Sequence, residues 1–184
     1  ILLASNSPRR RELLAGLDID YRVTALPEVD ESYPDTLSGE EIPLYISQEK
    51  AAAYRRFMKD NTLLITADTI VWLDGKVYGK PRDIADAKAM LQALSGKTHT
   101  VITGVTLTSL QKQISFTVST EVTFAALGDD EIDYYVEKYR PLDKAGAYGV
   151  QEWIGYIGVT GLKGSYYNVM GLPIQRLYTE LKKF

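Results

Sequence analysis

Two stretches rich in threonine, valine and isoleucine, His99–Ser109 and Gln113–Phe124, follow one another with only Leu110-Gln111-Lys112 between them. That composition favours strands, and a connection this short joins antiparallel neighbours. The pair constrains the fold more than any other feature, because a sheet has to form around it. Ile1–Ala4 reads as a short buried strand and Tyr21–Leu26 as another. Leu63–Ala67 and Ile70–Leu73 read as strand-like runs broken by the polar Asp68-Thr69. Asp74-Gly75 is a hairpin turn signal before Lys76–Tyr78, and Tyr156–Val159 is one more strand candidate.

Helical patterns are interspersed with these runs. Ser7 is placed to cap a helix with Pro8 at its first position, continuing to Ala15 and ending near Gly16. Leu44–Met58 is expected to be helical, with Ile46, Ala53 and Phe57 on one face. Asp83 caps a helix carrying Ile84, Ala87, Leu91 and Leu94, and Gly96 ends it. Asp129–Tyr139 has acids in its first turn and basic residues at its end. Leu172–Phe184 reads as a closing helix, and Pro27–Gly39 as an acidic loop. The expected fold class is α/β with a mixed sheet flanked by helices, not a doubly wound parallel sheet. A length of 184 residues suggests one domain, 1–184, with two small lobes as the other division.

Several chemistries are excluded at once. The chain has no cysteine, so thiolate catalysis, disulfides and cysteine metal sites are absent. Its single histidine rules out multi-histidine metal centres. A formal charge of −3 argues against nucleic acid as the main partner. No apolar run approaches the roughly 18 residues of a membrane span. Ile1–Ala4 is too short for a signal peptide and lacks a basic segment before it, so a cytoplasmic protein is expected. Gly96-Lys97-Thr98 resembles the end of a phosphate-binding loop, but position 91, where that motif needs glycine, is leucine.

The remaining signals are polar clusters at the ends of apolar runs. Ser5-Asn6-Ser7-Pro8-Arg9-Arg10-Arg11 places small hydroxyls and arginines on a strand-to-helix turn. A helix N-terminus offers free N–H groups to a phosphate, and Arg9 and Arg10 add bidentate donors. An ordinary capped helix with solvated arginines has the same pattern, and Arg11 has no assigned role. Asp68 interrupts an apolar strand, which is costly unless it is paired or binds a metal. It is a candidate metal ligand or general base, or else a capping residue, and Thr69 bonds either a ligand or the backbone. Lys80 in Gly79-Lys80-Pro81 reads as a phosphate contact or a plain turn residue. Lys50 reads as a snorkelling helix lysine when taken alone. Asp30-Glu31 reads as solvated loop charge or, with Asp68, as a divalent cation site. Asp143–Gln151 and Gly164–Pro173 are dense in small residues that let backbone approach a ligand. His99 is expected to be a structural hydrogen-bonding group rather than a catalyst.

Together these segments resemble the Maf family of nucleoside triphosphate pyrophosphatases. The resemblance rests, in order, on Ser5–Arg10, Asp30-Glu31, Glu49-Lys50-Ala51, Ala67–Val71, Gly79–Arg82, Ser95–Gly104, Asp143–Gln151 and Gly164–Pro173, nearly the whole chain. The run Asp143–Gln151 is similar to the branch acting on dTTP and UTP; a related branch prefers 7-methyl-GTP. The resemblance implies an elongated α/β domain around a mixed sheet, two-lobed with a central cleft, related to the inosine triphosphate pyrophosphatases. It implies hydrolysis of a nucleoside triphosphate to the monophosphate and pyrophosphate with a divalent metal. It also implies that Asp68 is the proton acceptor and that Arg9, Thr69 and Gln151 set base specificity.

Chemistry fits that reaction. Attack at the α-phosphorus needs a positioned water and relief of about four negative charges, so positioning and charge stabilisation dominate. Arg10, Lys50 and Lys80 are the natural cations, and Mg²⁺ or Mn²⁺ held by Glu31 and Asp68 would bridge phosphate oxygens. A metal-bound Asp68 is a poor base, so orienting the water is its alternative role. Ser5, Ser7, Arg9, Arg10, Thr69 and Gln151 are the expected substrate contacts, with Asp68, Lys50 and Lys80 catalytic. A homodimer is a further expectation. The competing readings are a 7-methyl-GTP pyrophosphatase and a nucleotide-binding regulator of cell division that does not hydrolyse its ligand. Carboxylates beside a triphosphate favour hydrolysis over binding alone.

Overall fold

The structure, a computed structural model, describes residues 1–25 and 28–184. Leu26, in the expected second strand, and Pro27, in the expected acidic loop, lie outside the described residues. The elements run β1 (Leu2–Ala4), α1 (Pro8–Ala15), β2 (Arg22–Thr24), α2 (Glu41–Arg55), β3 (Leu64–Leu73), β4 (Lys76–Tyr78), α3 (Ile84–Leu94), β5 (Thr98–Thr108), β6 (Gln113–Phe124), α4 (Asp129–Tyr139), a 3₁₀ turn (Ala145–Ala147), α5 (Trp153–Gly158), β7 (Val159–Lys163), α6 (Tyr166–Met170) and α7 (Ile174–Leu181). The strands form one sheet in the order β2-β1-β3-β5-β6-β7, with β4 also on β3. β1 pairs parallel to β2 and β3, whereas β3–β4 and β6–β7 are antiparallel, so the sheet is mixed as expected. Among the described residues no helix is long and apolar enough to cross a membrane.

Five segments differ from the sequence expectation. The expected break at Asp68-Thr69 does not occur: β3 runs unbroken because both polar residues find partners within the strand's surroundings. The expected helix Leu44–Met58 is instead Glu41–Arg55. Pro43 falls in its first turn, where no backbone N–H is required. Its buried face is Ile42, Pro43, Ile46, Ser47, Lys50 and Ala51, while Phe57 lies beyond the helix and is exposed. The expected strand Tyr156–Val159 is mostly helix: α5 holds Tyr156, which is 82% exposed, and β7 starts only at Val159. The closing helix is shorter than expected, and α6 was not anticipated.

The chain divides into two compact units: Ile1–Thr69 with Ile102–Val118 and Gly171–Phe184, and Ile70–Val101 with Ser119–Met170. In the first, α2 packs on the sheet at Gly104. A Cβ built there would lie 2.4 Å from the carbonyl of Pro43 and 2.5 Å from the amide nitrogen of Leu44. Backbone cannot yield as a side-chain tip can, so only glycine lets α2 lie this close. Ser47 on α2 and Thr66 on β3 complete the contact: Thr66 Oγ1 donates to the Ser47 carbonyl at 2.7 Å, and Ser47 Oγ pairs with Thr106 Oγ1 at 2.8 Å.

The second unit encloses an apolar cluster, with Leu91, Leu94, Val122, Phe124, Ile132, Tyr135, Val136 and Ile154 buried in it. His99 sits there at 1% exposure, Nε2 2.6 Å from the Tyr148 hydroxyl and its ring edge-on to Phe124 and Tyr148. Nδ1 has no hydrogen-bond partner among the described residues. Burial without a counter-charge favours the neutral ring and lowers its pKa from 6.5 to about 4. The sequence expectation of a structural histidine agrees with this setting.

Two outcomes follow. Gly104→Ala should lower stability by roughly 1–3 kcal/mol or more, through overpacking against backbone, read from the urea midpoint. His99 binds its proton in the unfolded chain first, near pH 6.5, and in the folded chain only near pH 4. Its contribution is therefore complete above pH 6.5 and is lost as pH falls to 4, by about 3 kcal/mol. His99→Gln should remove that part of the acid destabilisation. The wild-type and variant stabilities, measured by denaturation from pH 7 to pH 4, should converge across that interval; parallel curves would show that the ring does not stay neutral in its pocket.

Candidate active site

Helix α2 and strand β3 create the charged centre of the first unit by matching two spacings. Ser47 and Lys50 are one helical turn apart on α2, and Thr66 and Asp68 are two residues apart on β3, hence on one face of the strand. Ser47 meets Thr66, and so Lys50 meets Asp68. Lys50 Nζ lies 3.1 Å from Asp68 Oδ1, 3.0 Å from Glu31 Oε1 and 3.2 Å from the Ala67 carbonyl. An ammonium has three N–H donors, and these three acceptors use them all. Lys50 is thus not the snorkelling surface lysine its helix position suggests: it is 4% exposed. Burial raises the pKa of Asp68, opposed by the charges of Lys50 and Arg10.

Arg10 organises the neighbouring side. Its Nε donates to the Gly171 carbonyl at 2.8 Å, one terminal nitrogen to the Ala67 carbonyl at 3.2 Å and the other to Thr69 Oγ1 at 3.0 Å. Three of the five N–H donors of a guanidinium are used in this way. Burial lowers its pKa, opposed mainly by the negative charge of Asp68. Thr69 Oγ1 is also 2.9 Å from Thr103 Oγ1, a fully buried partner on β5. The Ala67 carbonyl therefore receives both Lys50 and Arg10, and joins the two halves of the cluster.

The turn before α1 is shaped by its hydroxyls. Ser5 is buried and its Oγ accepts the Ser7 N–H at 3.1 Å; Ser7 Oγ caps the helix by accepting the Arg10 N–H at 3.4 Å. Arg11, without a role in the sequence, donates to the Ser5 carbonyl at 3.1 Å and braces the turn. Arg9 is half-buried beside Arg10, close enough for their charges to repel.

Ser5, Ser7, Arg9, Arg10, Glu31, Lys50, Asp68 and Thr69 all belong to the first unit; Lys80 and Gln151 belong to the second. Within that unit the segments carrying Lys80 and Gln151 are joined, because the Gly146 N–H donates to the Gly79 carbonyl at 3.1 Å. Lys80 is exposed. Gln151 is half-buried in a turn closed by the Glu152 N–H donating to the Gly149 carbonyl at 3.0 Å. The partners that the sequence did not bring forward are neutral: the carbonyls of Ala67 and Gly171, and the hydroxyls of Ser47, Thr66 and Thr103.

Comparison with known proteins gives the family. The profile of the family described as Maf-like protein matches residues 1–184. A Phocaeicola vulgatus protein named dTTP/UTP pyrophosphatase is 68% identical over 183 residues, covering 100% of this chain and 95% of that protein. A Bacteroides thetaiotaomicron protein of the same name is 65% identical with the same coverage. The solved structure of the Staphylococcus aureus Ham1 protein matches 97% of this chain and 98% of its own, with a TM-score of 0.54. At 19% identity that likeness concerns the fold alone, and it agrees with the mixed α/β sheet. The match along all 184 residues takes in each polar cluster described above, from Ser5 to Gln151, and this chain belongs to the Maf-like protein family.

Proposed function

We propose that this chain is a nucleoside triphosphate pyrophosphatase that converts dTTP and UTP to the monophosphate and pyrophosphate. The observation that carries the proposal is the buried Lys50–Asp68 pair with Glu31 on the same ammonium, in a chain 68% identical to a protein named dTTP/UTP pyrophosphatase. Residues 1–184 are read as one functional domain. Free nucleoside triphosphates are met in the cytoplasm, and that is the proposed location.

A divalent cation fits this donor set. Among the described residues no group of three or more His, Cys, Asp and Glu side chains could hold a metal by themselves. Glu31 and Asp68 nevertheless converge on one positive centre, and Mg²⁺ is commonly held by one or two carboxylates with substrate phosphates completing its shell. Glu31 and Asp68 would hold Mg²⁺ or Mn²⁺, which would neutralise phosphate charge and acidify water.

The chain's own groups do the positioning. Asp68 orients the attacking water, the role left to a carboxylate that holds a metal, and the water's proton passes to solvent. The water oxygen bonds to the α-phosphorus as the bond to the α,β-bridging oxygen breaks, and pyrophosphate leaves with that electron pair. Ser5, Ser7, Arg9 and the remaining donors of Arg10 receive phosphate oxygens at the start of α1. Lys80 adds a cation, and Thr69 contacts the nucleotide. Lys50 holds the two carboxylates in place and exchanges one of its acceptors for a phosphate oxygen when substrate arrives. Pyrophosphate release from a panel of nucleotides, with and without Mg²⁺, tests the reading: no release from dTTP or UTP in either condition would overturn it.

Asp68→Asn preserves shape and removes the charge. Turnover of dTTP should fall at least ~10²-fold, while thermal melting stays close to wild type because Glu31 remains as a counter-charge for Lys50. Near-normal turnover in the folded variant would remove Asp68 from the chemistry.

Gln151 is assigned to the base edge. Uracil and thymine present an N3–H donor between two carbonyls, and one glutamine amide can meet the N3–H and one carbonyl. A carboxylate only accepts, so Gln151→Glu sets an acceptor against a carbonyl and costs about 1–3 kcal/mol. The ratio of kcat/KM for dTTP to that for 7-methyl-GTP should fall roughly tenfold or more; an unchanged ratio would mean that Gln151 does not read the base.

A further inference from the structure

Tyr135 is wholly buried on the inner face of α4, stacked on Tyr139 with ring centroids 5.1 Å apart. Its hydroxyl touches both ends of the turn that carries Gln151. The Gly149 N–H donates to it at 3.0 Å, and it lies 2.7 Å from Glu152 Oε1. The polarity is fixed. An amide N–H only donates and a carboxylate only accepts, so the tyrosine proton is committed to Glu152. The same turn is closed by the Glu152 N–H on the Gly149 carbonyl at 3.0 Å. Lys144 Nζ stands 3.7 Å from the same Glu152 oxygen. The packing leaves no slack: a Cβ at Gly149 would come within 2.6 Å of Glu152 Oε1 and 3.0 Å of Lys144 Cε.

We propose that Tyr135 is a specificity-positioning residue, which fixes the Gly149–Glu152 turn so that Gln151 presents a single face to the nucleobase. The proposal rests on the reading of Gln151 as the base contact. A glutamine amide turned over exchanges its donor and acceptor. Free to approach from either side, it therefore serves uracil, with N3–H and a carbonyl, or cytosine, with a bare N3 and an amino group. Gln151 alone cannot separate these bases, and separation needs a fixed backbone beneath it. The Tyr135 hydroxyl supplies this from a rigid aromatic side chain on a helix. It touches no substrate and is no part of the phosphate chemistry.

The test compares the ratio of kcat/KM for dTTP to that for CTP in a small set of variants. Tyr135→Phe keeps the ring and removes the clamp. The ratio should fall roughly tenfold, as expected when a buried hydrogen-bonding group loses its partner, with the change falling mainly on KM for dTTP. Glu152→Ala, which opens the clamp from its other end, should act likewise, whereas Glu152→Gln keeps an acceptor and should retain most of the ratio. In a Gln151→Ala background, Tyr135→Phe should change the ratio no further. If Gln151→Ala lowers the ratio while Tyr135→Phe and Glu152→Ala leave it at the wild-type value, the positioning role is overturned and the base-contact reading stands. If Gln151→Ala itself leaves the ratio unchanged, the base-contact reading falls and this inference falls with it. Should Tyr135→Phe fail to fold, the Glu152 pair decides: a low ratio in Ala and a retained one in Gln supports the clamp, and equal wild-type ratios overturn it.

Discussion

A lysine ammonium almost removed from water, with two carboxylates and a backbone carbonyl around it, is the interaction on which the first unit depends. Desolvating such a charge costs several kcal/mol, which is offset only when every donor finds an acceptor in good geometry. Lys50 meets that condition with Asp68, Glu31 and Ala67. The condition reaches outward, because those acceptors are in place only if α2 lies close to the sheet and in one register. Gly104 permits the closeness, and Ser47 with Thr66 fixes the register. A slip of α2 by one residue would leave Lys50 charged and unpartnered, so the ion cluster itself penalises misalignment.

Arg10 extends the same logic to the start of the chain. It ties α1 to β3 through Ala67 and Thr69, and to Gly171. The cations of this centre are therefore already coordinated by protein; on the proposed reading a substrate phosphate displaces an acceptor at Lys50 but meets Arg10 through the two N–H donors it has left. Fixed dipoles and charges of this kind need little rearrangement as charge develops, the property that makes electrostatic stabilisation effective in catalysis.

What could be read beforehand was whatever depends on neighbours in the chain. Ser7-Pro8 marked the start of α1, Asp83 that of α3, and the acids of Asp129–Glu131 that of α4. The Asp74-Gly75 turn has both residues at positive φ, as its residue types suggest. What could not be read depends on distant partners. Asp68-Thr69 looks like the end of a strand until Lys50 and Thr103 are seen to satisfy it. Pro43 looks like a helix boundary until it is placed in a first turn. Tyr156 looks like strand material because its exposure is set by how α5 packs, and Gly155 allows that packing by lying against the Val150 carbonyl. The candidate site residues were legible as residue types and segments. Their partners were not, because backbone carbonyls such as those of Ala67 and Gly171 leave no mark in a sequence.

The two units solve different physical problems. The first carries Arg10, Lys50, Asp68 and Glu31, and its problem is to keep like and unlike charges at fixed distances in partial burial. It does so with backbone carbonyls, which accept from cations without adding a titrating group. The second carries Gln151 in a turn built on hydrogen bonds and aromatic packing, with Glu152 tied to Tyr135. A triphosphate is recognised by charge, which acts over several ångströms and tolerates small shifts. A base edge is recognised by donors and acceptors about an ångström more exacting in position. The ionic group needs a cage that holds its charge, and the amide needs a backbone that does not move. On the proposed reading, the buried lysine and the buried tyrosine are the means by which one chain meets each demand.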